Sequence, residues 1–112
     1  MFQRQRAKLI NVHLSEEDRF GDAPLCEAII RTCQDLDIAG ATVLKGLEGY
    51  GESAEIHRSH LLGHNLPIVL TVVDSAEKID RLMIEMEKMV DTAVITVSNV
   101  EMIRISSPAA VE

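Results

Sequence analysis

Tryptophan is absent from this 112-residue chain, and tyrosine and phenylalanine together supply three residues. Recognition by stacking bases on aromatic rings is nearly closed to it. Cations are also few: eleven Lys and Arg face eighteen Asp and Glu, a net charge of −7. Phosphate backbones are gripped by the opposite balance, so no nucleic-acid partner is expected. No run of about 18 apolar residues occurs, which excludes a transmembrane helix and direct membrane insertion by one. Met1–Arg6 carries two arginines, and Ala7–Leu14 is broken by Lys8, Asn11 and His13, so no signal-peptide core is read there. A cytoplasmic location is the default. The two cysteines, Cys26 and Cys33, lie seven apart. On one helix that is about 10 Å of rise, beyond the roughly 7 Å reach of a disulfide. They are not a CxxC pair either, and read as small helix residues in a reducing compartment.

What remains is globular: 46% of residues are hydrophobic. The length suits one domain over residues 1–112, with 1–6 and 106–112 as flexible tails. From Lys8 to Leu14 the chain alternates as a strand, with Ile10, Val12 and Leu14 on one side and Leu9, Asn11 and His13 on the other. A helix is predicted from Pro24 to Ile38. Pro24 suits a first turn, Leu25, Ile29 and Leu36 recur near helical spacing, and Gly40 stands where a stop belongs. Ala41–Leu44 is β-prone, and the branched run Pro67–Val73 is the clearest strand. Asp74 and Glu77 form a capping box for a second helix with its stripe at Ile79, Leu82, Met83, Met86, Met89 and Val90. That stripe reads as a core face rather than a Met-rich docking surface. Thr92–Val97 is a fourth strand, and Val100–Ile105 is a fifth or its continuation.

The order β-α-β-β-α-β predicts an α+β, ferredoxin-like sandwich, an antiparallel sheet with two helices on one face. The other face would carry Leu9, Leu44, Val69, Val73, Val94 and Thr96, most of them apolar. An exposed apolar face of that kind marks an interface, so a homo-oligomer is expected.

Chemistry-bearing residues are few. Gly46, Glu48, Gly49, Tyr50 and Gly51 form a glycine-rich turn directly after the second strand. It is neither a P-loop nor a dinucleotide fingerprint. Two readings stand: a bulged strand end at a loop base, or exposed amides that approach a ligand. His57, His60 and His64 follow at i, i+3, i+7, close to Glu55. On a helix they would share a face and offer Zn²⁺ three nitrogens; otherwise they are solvated loop histidines. Glu16-Glu17-Asp18 reads as a solvated charge run. No nucleophile with a base beside it can be named, so no catalytic residue and no enzyme is expected.

Gly40-Ala41-Thr42-Val43, Gly46, Gly49-Tyr50-Gly51, Ile56-His57 and Leu66-Pro67-Ile68-Val69 appear in an order that resembles the uncharacterised bacterial PII-like proteins. Leu25–Ile29 and Val100–Ile103 extend the resemblance from about Lys8 to Ile105. It implies a homotrimer with the open sheet faces lining its centre. It also implies a mobile effector loop at Gly49–Asn65 carrying His57, and a ligand, often an adenine nucleotide, in the intersubunit cleft at the loop base. By position Gly46, Glu48, Gly49, Tyr50 and Gly51 would form that base, and Arg104 would add one positive charge to the cleft or else stand as a surface arginine. The resemblance makes the chain a regulatory, signal-transducing module acting on a partner protein, a membrane transporter among the candidates. Met89–Ala93 departs from PII proteins proper, which place glycine and lysine there to hold phosphates. A divalent-metal or cation-tolerance protein of the same fold, using His57, His60 and His64, is the alternative.

Overall fold

The structure, a computed structural model, describes residues 1–49, 57–58 and 66–107. Four strands make one antiparallel sheet: β1 (Phe2–Ser15), β2 (Gly40–Lys45), β3 (Pro67–Asp74) and β4 (Val94–Ile105). Their spatial order is β2-β3-β1-β4. Helix α1 (Leu25–Asp35) joins β1 to β2, and α2 (Ala76–Met89) joins β3 to β4. This is the expected α+β, ferredoxin-like arrangement.

The core follows from strand parity. Ile10 lies opposite Val72, Val12 opposite Leu70, and Leu14 opposite Ile68. All six are buried, and Leu25, Ile29 and Cys33 of α1 with Ile79, Leu82 and Met86 of α2 close over them. Both helices therefore lie on one face, because each has a single apolar stripe to bury.

Several boundaries move, each for a tertiary reason. Residues 2–6, expected as a tail, are strand, because β4 runs on to Ile105 and pairs with them. The same pairing makes Val100–Ile105 a continuation of the fourth strand, not a fifth. Pro24 is the residue before α1, extended at φ −59 and ψ 135, and pairs with Arg19 in a two-residue ladder. The helix ends at Asp35. Asp37 takes the left-handed φ of +56, its N–H donates to Gln34 O, and Ile38 N–H donates back to Cys33 O. That is a Schellman ending, with Asp rather than Gly in the left-handed position. Gly40 instead opens β2. Ser75, not Asp74, caps α2, its Oγ accepting from Lys78 N–H at 3.3 Å. The buried Asp74 carboxylate accepts from Ser75 N–H at 2.6 Å and Ala39 N–H at 2.8 Å, tying the start of β2 to the start of α2.

The uncovered face holds all six expected residues, read from the register as three rows. Val73, Leu9 and Ser98 make one; Leu44, Val69, His13 and Val94 make another. Between them runs a polar row, Thr42, Thr71, Asn11 and Thr96, with Thr71 Oγ1 donating to Asn11 Oδ1 at 2.7 Å. The face is thus two apolar bands around a polar seam rather than uniformly apolar. Leu44 is 59% exposed and Val94 43%.

Candidate functional site: the base of the 46–66 loop

The glycine-rich turn sits where β2 ends beside the start of β3. Gly46 N–H donates to Pro67 O at 2.8 Å, which holds the two ends of the loop together. A Cβ on Gly46 would stand 2.8 Å from Pro67 Cγ, and one on Gly49 would stand 3.2 Å from the same atom. A side chain at position 46 would have to displace the proline ring, and one at 49 would press on it, because the chain packs against Pro67 at both. Glu48 and Gly49 pair with Arg58 and His57 as a short antiparallel stem, so the loop leaves and returns on adjacent strands. At Gly46 and Gly49 the absence of a side chain therefore has a packing cause.

Glu16 completes the base, a residue expected to be solvated. It follows the last residue of β1, Ser15, which lies opposite Pro67. Its backbone N–H donates to Leu66 O at 2.9 Å, and its carboxylate accepts from Leu66 N–H at 3.2 Å. The same carboxylate pairs with Lys45 at 2.5 Å, with the Glu16 side chain 17% exposed. Asp18 is also engaged, its carboxylate accepting from Ser15 N–H at 2.9 Å. Of the acidic run only Glu17 is exposed. The available signal was position: a carboxylate one residue beyond a strand whose partner begins with Leu66-Pro67.

The other expected site residues distribute differently. Tyr50, Gly51, His60 and His64 lie outside the described residues, and His57 is placed only as a strand position. The metal reading thus has no geometry here. Among the described residues no group of three potential ligands clusters. Arg104 pairs with Gln3 at the far end of β1. Twelve residues of strand separate Gln3 from Ser15, about 40 Å at roughly 3.3 Å each. One chain therefore does not bring Arg104 to its own loop base.

The cysteines take no part. Burial pushes the Cys33 thiol up to about 11, with Cys26 adding to it. Burial, then the Glu27 carboxylate, raises Cys26. Both stay protonated near neutrality and are poor nucleophiles.

The sheet order, the two helices on one face and a loop leaving between the β2 and β3 edges give a ferredoxin-like fold of the kind seen in PII-like proteins. Residues 7–102 match the DUF190 family, described as "Uncharacterized ACR", and the chain belongs to that family. A UPF0166 protein of Aquifex aeolicus (strain VF5) is 32% identical over 100 residues, covering 88% of this chain and 94% of that one. Among solved structures the chain is similar to CPII, a nitrogen regulatory PII-like protein from Thiomonas intermedia K12 bound to ADP, AMP and bicarbonate. The TM-score is 0.64 at 15% identity, over 89% of this chain and 91% of that chain. It is also similar to the divalent ion tolerance protein CutA1 from Ehrlichia chaffeensis, with a TM-score of 0.58 at 13% identity, over 84% and 80%. At such identities the likeness establishes the fold. Among the described residues no helix is long and apolar enough to cross a membrane.

Proposed function

We propose that this protein is a non-catalytic PII-like regulatory module. It assembles as a cytoplasmic homotrimer, takes a small ligand in the cleft between copies, and acts through the Gly49–Asn65 loop on a partner protein. The observation that carries the reading is the loop base. Gly46, Gly49, Glu16, Leu66 and Pro67 pin both ends of one long loop at one end of the sheet. A ligand that meets this base can bias the loop only through different affinities for two loop states. The uncovered sheet face, with Leu44 and Val94 exposed, supports assembly.

An adenine nucleotide is the first ligand to test, since a protein of this fold binds ADP and AMP. Met89–Ala93 holds neither Gly nor Lys, which favours a ligand with fewer phosphates than a triphosphate. Calorimetry with AMP, ADP, ATP and cyclic AMP tests this. Saturable heat with one or more supports it, and no heat with any removes the nucleotide. The likeness to a divalent ion tolerance protein favours a second reading, in which His57, His60 and His64 hold a divalent cation. Metal analysis of untagged protein, with Zn²⁺ and Cu²⁺ titrations, separates the two. A membrane transporter remains among the partner proteins to test.

A further inference from the structure

The middle of the uncovered face comes from the two inner strands of the sheet, β3 and β1. β1 contributes Leu9, Asn11 and His13 to it, and β3 contributes Val69, Thr71 and Val73. Five of these six are partly buried within the single chain, and His13 alone is exposed. Its side chain therefore projects furthest from the middle of the face. Its cross-strand partners are Val69 and Val94, and Leu44 ends the same row beyond Val69. Among the described residues no side chain hydrogen-bonds to His13.

Nothing else on this face can answer a histidine. β2 adds Gly40, Thr42 and Leu44 to it, and β4 adds Val94, Thr96 and Ser98, none of them charged. The nearest charge that the register places on the face is Arg104, opposite Gln3. Gln3 is ten residues of strand from His13, about 33 Å. Assembly on this face encloses the imidazole among valine and leucine side chains. A buried ring nitrogen without a partner is costly, so a stable interface has to supply one. The single chain offers none, which leaves the other copies and what they hold in common. A neutral imidazole is also the commonest of metal ligands.

We propose that three His13 imidazoles, one from each copy, meet at the threefold axis and bind one divalent cation of the Zn²⁺ kind. This rests on the trimeric reading above, with the uncovered faces turned inward. Around a threefold axis a residue meets its own two copies only where it reaches the axis. The part of an inward face that projects furthest reaches it first, and on this face that part is His13. Three imidazole nitrogens at about 2.0–2.1 Å leave the fourth tetrahedral position to water or a small anion. One chain holds only one ligand of the set, and among the described residues no three potential ligands cluster. The site therefore exists only in the assembly. A cation that binds three joined copies and not the separate chain strengthens the assembly by mass action. The site is distinct from His57, His60 and His64, which belong to the loop of one chain and would take one cation per chain.

Stoichiometry tests the site. Metal-stripped, untagged protein is titrated with Zn²⁺ by calorimetry, and its assembly is followed by sedimentation in EDTA and in Zn²⁺. The expected result is one Zn²⁺ per three chains that depends on His13, over and above any held by the loop. Zn²⁺ is expected to lower the dissociation concentration of the trimer at least tenfold. His13→Gln and His13→Leu are expected to lose that Zn²⁺, and their assembly to ignore the metal. His13→Leu keeps the band apolar and is expected to assemble without it. The triple variant His57→Ala, His60→Ala, His64→Ala is expected to keep one Zn²⁺ per three chains. Co²⁺ in place of Zn²⁺ is expected to give the visible absorption of a four-coordinate site, absent from His13→Gln. A wild-type trimer that takes no Zn²⁺, or whose dissociation Zn²⁺ does not move, overturns the site. So does one Zn²⁺ per three chains that survives both His13 substitutions. Binding at one per chain only, lost with the loop histidines, assigns the metal to the loop and overturns the site as well. In those cases the trimer reading stands, whereas a wild-type chain that is monomeric with and without Zn²⁺ removes both.

Discussion

Removing the Glu16 carboxylate asks whether this residue latches the loop or merely sits near it. In Glu16→Ala the Leu66 amide loses its acceptor at 3.2 Å, and Lys45 loses its ion-pair partner. A part-buried amide left without a partner costs about 1–2 kcal/mol. The ion pair is worth less, about 0.5 kcal/mol, because the Lys45 side chain is 58% exposed. The sum is about 2 kcal/mol. It falls on local opening of the loop base, since every lost contact lies at one end of the sheet. Hydrogen exchange of the Leu66 and Gly46 amides is expected to accelerate about 30-fold, at roughly tenfold per 1.4 kcal/mol. The slowest amides of the central strands, near Val12 and Leu70, are expected to change far less. Glu16→Gln keeps an acceptor oxygen and loses only the charge, so about threefold is expected. Unchanged exchange at Leu66 and Gly46, or equal acceleration throughout the sheet, would refute the latch.

Other expectations follow from single contacts. Gly46→Ala must displace the Pro67 ring, since the new Cβ would sit 2.8 Å from Cγ. A loss of about 1–3 kcal/mol in thermal unfolding is expected, with Gly49→Ala milder, and the reverse order would refute the packing cause. Asp37→Gly relieves a left-handed φ of +56 and is expected to raise the melting temperature, by about 0.5–1 kcal/mol of stability. The Cys33 thiol is pushed up to about 11 in the folded chain from an ordinary value of 9.0. Between those values the unfolded chain holds fewer protons. The contribution is therefore complete below about pH 9 and lost as pH rises through 11, on the order of 2 kcal/mol. Urea midpoints should fall across that window, and Cys33→Ala should flatten the fall.

Much of this fold was legible in local patterns. A strand alternates with period two whoever its neighbours are, so Leu9–Leu14 and Pro67–Val73 declared their faces, and the six residues assigned to the uncovered face share it. The stripe at Ile79, Leu82 and Met86 likewise declared a core face. Less legible were features in which one local signal competes with another. Asp74 and Ser75 are both good caps, and the structure chooses Ser75 because Asp74 is held between two segments. Gly40 is the better residue for a helix stop, yet the chain turns at Asp37 so that Gly40 can enter β2 opposite Val73. The glycines at 46 and 49 drew notice for their composition, but the ring they pack on belongs to Pro67, about twenty residues away.

Periodicity and composition were sufficient for the α+β class, the burial of each element and the position of the loop between β2 and β3. These depend on which side of its own element a residue occupies. Register between strands distant in the chain was needed for the rest. It brought Glu16 onto Leu66 and Lys45, because β1 ends where β3 begins. It made the first six residues an arm, because β4 outruns β3. It also set Arg104 far from the loop base of its own chain, because pairing positions are chosen by the sum of contacts along a whole strand and no single residue announces them.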